Sequence, residues 1–180
     1  MKMAALLSVA FVLMLAGIPS GANEPATRTS DDRILTDSGV PDWVPNPLIG
    51  SHTWKKVFSD EKHTPSKQAE EVWYFDHKAA IKATRERAAV GGQDMALEGA
   101  TLTWIKVARL KPERARYLFY AFWPSKRVAL LYGIFENEDG TKYVETVGET
   151  VDLGKTEPGY QRAAIEALSD AVFKPWYKVW

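Results

Sequence analysis

Cysteine is absent from all 180 residues. That removes structural disulfides, zinc–thiolate sites, thiol nucleophiles and acylation at an N-terminal cysteine together. A bias toward charge of one sign is also lacking, with 23 basic against 23 acidic side chains. Nucleic-acid binding draws its affinity from clustered Lys and Arg, so the balance argues against nucleic acid as a partner. Histidine is scarce: His52, His63 and His77 stand too far apart to place two imidazoles on one helical turn, and no metal site is expected. No Gly-x-Ser-x-Gly elbow occurs, and Gly91-Gly92 is not followed by Gly-Lys-Ser/Thr, so neither a nucleophile elbow nor a phosphate loop is present. Asp76-His77 are neighbours in sequence, and neighbours on a helix do not face each other. No residue is therefore assigned to catalysis, and no cofactor is expected.

Long apolar runs are missing as well, apart from one at the start. Met1-Lys2-Met3 carries a positive charge, Ala4 to Ile18 is apolar, and Ser20-Gly21-Ala22 puts small residues before Asn23. That is the layout of a cleaved secretory signal peptide over residues 1–22. A membrane anchor needs about 20 apolar residues, more than this run offers. The expected location is periplasmic or secreted, with no membrane span after cleavage. Residues 23–49, rich in Thr, Ser, Asp, Gly and Pro, read as a flexible tether. Pro41, Pro45 and Pro47 oppose regular structure there, and Trp43 is the one large ring able to dock on the body.

What the chain does have is aromatic side chains, 12% of the total with 7 Trp. They concentrate in residues 102–108, 117–123, 128–135 and 143–147, four β-branched and aromatic segments separated by turn chemistry. These read as an antiparallel meander. Pro112 suits a type I turn in the first connection, and Asp139-Gly140 marks a hairpin in the third. Residues 52–58 make a further strand candidate. Thr64-Pro65 opens, and Gly91-Gly92 closes, a helical face through Val72, Phe75, Ala79 and Ala83, which predicts a helix over residues 65–89, although Val72-Trp73-Tyr74-Phe75 would serve equally well as a strand with Asp76 capping a shorter helix. Pro158-Gly159 opens a second helix with Ala164, Ile165, Leu168, Val172 and Phe173 on one side, ended by Pro175. The fold class expected over residues 50–180 is α+β, one domain. Its antiparallel meander sheet has about four to six strands, with two helices packed mainly on one face.

Function is read from the ring surplus. Alternation separates Tyr117, Phe119 and Trp123 from Tyr120 and Phe122. If one helix layer covers one face, the rings on the other either complete a second core layer or line a site. The expectation is a non-enzymatic exported binding or accessory module. Trp104, Tyr120, Phe122 and Tyr132 are its candidate ligand-binding residues, and the partner is an apolar or sugar-like small molecule or an envelope protein. Two alternatives stand beside it. A cell-envelope hydrolase would draw two carboxylates from Glu70-Glu71 and from Glu136, Glu138 and Asp139, or pair an acid with histidine. An interaction protein would dock through Trp176 and Trp180 of the C-terminal tail.

Overall fold

A computed structural model describes residues 31–90 and 93–174. The leader 1–22, residues 23–30, and the tail rings Trp176 and Trp180 lie outside the described residues. In chain order the elements are α1 (Ile34–Asp37), β1 (Trp54–Ser59), β2 (Glu71–Asp76), β3 (Ile81–Lys82), β4 (Arg87–Val90) and β5 (Gln93–Ala96). They continue with β6 (Thr101–Leu110), β7 (Glu113–Phe122), β8 (Arg127–Glu136), β9 (Lys142–Asp152) and α2 (Tyr160–Phe173). A 7-stranded antiparallel sheet runs β1-β2-β6-β7-β8-β9, with β3 also paired to β6, while β4 and β5 form a separate hairpin. The α+β class is as expected. The sheet is larger than the four to six strands expected, because the stretch read as a first helix contributes strands to it.

That stretch is the main correction. Residues 65–89 hold no helix: after a short 3-10 turn at Asp60–Lys62 the chain enters β2, pairing with β1 on one side and β6 on the other. Val72-Trp73-Tyr74-Phe75 is a run of β-branched and aromatic residues, which pack better on a pleated surface between two strands than on a helix. The buried Asp60 carboxylate fixes the entry, accepting the backbone N–H groups of Glu70 at 2.8 Å and Glu71 at 3.0 Å. The Lys111-Pro112 turn also differs from expectation. Its peptide bond is cis, with proline at the third turn position, the type VI arrangement.

Alternation sorts the long strands into two faces. Face A carries Leu102, Trp104, Phe119, Ala121, Ala129, Leu131 and Ile134; face B carries Ile105, Val107, Leu118, Tyr120, Phe122 and Val128. The expected split of the β7 rings is observed, with Tyr117, Phe119 and Trp123 against the first cluster and Tyr120 and Phe122 in the second. Leu131 is an extra residue in β8: Phe119 pairs with Tyr132 and Tyr120 with Leu130. Such a bulge switches the alternation, so Leu131 and Tyr132 both join the face A core.

The two faces have different covers. α2 packs on face B, chiefly over β1 and β2, through Ala164 and Leu168. Face A is covered without a long helix. The β4–β5 hairpin brings Ala88, and a strap of residues 31–49 brings Ile34, Leu35, Val40 and Val44, all buried. Residues 31–49 were expected as flexible tether, and here the structure differs: they lie on the sheet. Trp43 docks as expected, its ring 6.1 Å from that of Phe119, and Trp104 Nε1 donates to the Pro45 carbonyl at 2.5 Å. A few apolar side chains spaced among prolines suffice, since each buried Val, Leu or Ile contributes about 1.5–3 kcal/mol. Among the described residues, no helix is long and apolar enough to cross a membrane.

Candidate functional site

Trp104, Tyr120, Phe122 and Tyr132 are all buried, the most exposed of them at 6%. They are also divided, Trp104 and Tyr132 on face A and Tyr120 and Phe122 on face B. The structure does not bring the four together. Their rings pack within the sheet's own core: Trp104 meets Phe119 at 5.0 Å, Phe119 meets Tyr132 at 6.3 Å, and Tyr120 meets Phe122 at 5.6 Å. Burial pushes the Tyr120 hydroxyl far above the ordinary phenol range.

A recess of about 180 Å³ lies instead at one end of face B. Two cross-strand rows build it. The outer row is Glu71 on β2, Arg109 on β6 and Arg114 on β7; the inner row includes Val107 and Arg116, with Phe135 and Tyr143 on β8 and β9. Glu136 completes the lining on the β8 side. The inner row places Phe135 opposite Tyr143, ring centroids 5.7 Å apart and planes inclined 30°, so the two rings stand side by side as one wall. Gly133 makes room for it. A Cβ there would lie 2.4 Å from a ring carbon of Phe135, so only glycine lets the ring fold back over β8.

The carboxylate of Glu71 is held from two sides. Arg116 donates to both of its oxygens at 3.2 Å, and the Tyr160 hydroxyl at the start of α2 donates to Oε2 at 2.5 Å. Burial, reinforced by that hydrogen bond, raises the Tyr160 hydroxyl well above its usual value. It therefore remains a donor at any physiological pH. Phe58 and His63 pack around Tyr160 at 6.3 Å each, bracing the junction. Tyr143 is the exposed member of the wall, and its hydroxyl too is raised, mainly by desolvation.

Arg109 and Arg114 are different. They are direct cross-strand partners, like charges face to face, and neither has an ion-pair partner among the described residues. Such a pairing weakens a sheet, by about 0.2–1 kcal/mol. Sequence reading overlooked these residues. The signal was present: alternation from Ile105 and Val107 leads to Arg109, and from Tyr120 and Leu118 to Arg116 and Arg114, so one face turns from apolar to basic at the strand ends.

The histidines do not assemble a site. His52 Nδ1 lies 2.8 Å from the buried Asp76 carboxylate, and its Nε2 lies 2.9 Å from the Ile49 carbonyl. A general base needs its second nitrogen turned to substrate, and here both ring nitrogens are engaged. Stacked 5.4 Å from Trp54, this ring anchors the strap's end to β2. Among the described residues no group of three or more metal-ligating side chains occurs. No family model, no curated protein and no solved structure matches the chain.

Proposed function

We propose that the protein is an exported, non-enzymatic binding module that takes a small sugar-like molecule in the recess at the open end of face B. Export is inferred from the charged start, apolar run and small-residue boundary of residues 1–22. The binding reading is carried by one observation: an aromatic wall, Phe135 and Tyr143, stands beside three guanidiniums in a single recess that α2 leaves uncovered. Rings with a nearby set of polar groups are the usual composition of a small-ligand site. In this reading Trp104, Tyr120, Phe122 and Tyr132 form the scaffold, and the sheet ends form the site.

The test is backbone amide NMR on the full chain with a panel of neutral saccharides, glucose, N-acetylglucosamine and maltose. Shifts gathered at Arg116, Phe135 and Tyr143 are expected, and they should disappear in Tyr143→Ala. The absence of a shift in the recess with any saccharide, neutral or acidic, overturns the reading.

A glycoside hydrolase is the second reading, favoured by Glu71 and Glu136 lining the same recess. Against it, both oxygens of Glu71 already accept hydrogen bonds, from Arg116 and, at Oε2, also from Tyr160. Release of reducing ends from oligosaccharides, abolished in Glu71→Gln and Glu136→Gln, would establish hydrolysis over binding.

A further inference from the structure

The recess carries more cations than its own acids satisfy. Three arginines face two carboxylates, and Glu71, although it neighbours Arg109 in the sheet register, turns both oxygens to Arg116 and Tyr160. Arg109 and Arg114 are left opposite each other, exposed, at the mouth. Two planar forks on adjacent strands are suited to grip one oxyanion, since guanidinium and carboxylate match edge to edge in bidentate pairs. The same ligand would relieve the repulsion between them.

Size and shape narrow the class. At about 180 Å³ the recess is smaller than the roughly 300–1,000 Å³ of sites for drug-sized ligands. It accommodates one ring with its substituents, not a dinucleotide or a folded lipid. Phe135 and Tyr143 line one side only, a wall for the C–H face of a saturated ring. Resting on the binding reading above, we infer that the recess takes a six-membered sugar acid, its ring on Phe135 and Tyr143 and its carboxylate between Arg109 and Arg114.

The experiment is calorimetric titration of the full chain with glucuronate, glucose, benzoate and inorganic phosphate, repeated on Arg109→Gln/Arg114→Gln. Glucuronate should bind at least tenfold more tightly than glucose, benzoate or phosphate. The double variant should lose that advantage while still unfolding cooperatively and melting no lower than the parent. Raising the salt should weaken glucuronate binding and leave glucose unchanged, because exposed charge pairs are screened. Equal affinity for glucose and glucuronate overturns the inference and leaves the binding reading standing. So does an advantage that survives in the double variant. Phosphate as tight as glucuronate shows that the ring is irrelevant, benzoate as tight shows that the sugar is, and either overturns the inference. If neither glucuronate nor the neutral saccharide panel engages the recess, both readings fall.

Discussion

Face A and face B belong to the same strands, yet one is closed and the other stops short of closure. On face A the strap and the β4–β5 hairpin reach across the sheet, and Leu102, Trp104, Phe119 and Leu131 are buried beneath them. On face B the helix α2 seals β1 and β2, but the far ends of β6 and β7 pass out from under it, and their face B residues change from Ile, Val, Leu and Tyr to Arg. The difference teaches where to look. A fully covered face spends its aromatic rings on packing, whereas a half-covered face places chemistry at the edge of its cover.

The largest contrast should come from truncating one ring on each face. Trp104→Ala removes a buried indole together with its bond to the Pro45 carbonyl, and should cost about 3–5 kcal/mol. Tyr143→Ala, on an exposed edge-strand ring, should stay within about 0.5 kcal/mol. Urea unfolding of both variants checks the pair. Equal losses would mean that Tyr143 is a core residue and that the recess is packing.

Next in size is Gly133→Ala. Its new methyl group would collide with the Phe135 ring, and Leu118 at 3.4 Å leaves little slack on the other side. Overpacking of this kind costs about 1–3 kcal/mol. The relief available is for Phe135 to swing away, which breaks up the wall. The variant should therefore fold, lose stability, and lose saccharide-induced shifts at Tyr143. Retained shifts with lowered stability would separate the wall from the site.

How much of this was legible beforehand depends on whether a signal was local. Residues 102–108, 117–123 and 128–135 match β6, β7 and β8 because alternating and apolar runs with turn chemistry between them are local facts. The C-terminal helix was equally plain from Ala164, Leu168 and Val172 after Pro158-Gly159. Val72-Trp73-Tyr74-Phe75 satisfied two periods at once, and the choice was made by β1 and β6 on either side, which no window of sequence contains. The strap hid for another reason: Ile34, Leu35, Val40 and Val44 are too dispersed among polar and proline residues to show a period. The candidate site was missed because arginines at strand ends usually mean solvent. Only the register that sets Arg109 against Arg114 makes them a pair.

A smaller prediction follows for that pair. If the two arginines are held against their own repulsion, replacing both with glutamine should stabilise the ligand-free protein by about 0.5 kcal/mol, most visibly at low salt. No buried contact is lost, as both are exposed. The same change on the closed face, where side chains are packed, could only destabilise. A clear loss of stability in Arg109→Gln/Arg114→Gln would mean that the guanidiniums brace the sheet ends, and the contrast between the faces would weaken.

The smallest effect expected lies at Glu149, which β9 sets opposite Leu130 on face B. Desolvation there raises its carboxyl above the usual 4.5. A carboxyl that holds its proton more firmly in the folded chain than in the unfolded one favours folding below the unfolded value. That contribution is lost as pH rises through the folded value, so at neutral pH an ionised Glu149 is a liability. Much of the side chain remains in contact with water, which screens the charge and keeps the effect to about 0.3 kcal/mol. Glu149→Gln should thus raise the unfolding midpoint slightly at neutral pH, and the gain should fade as the pH is lowered to 4.5 and beyond. A gain that persists unchanged in acid would assign the effect to packing. A loss at neutral pH would show that the charge is wanted, and that face B extends its polar edge as far as β9.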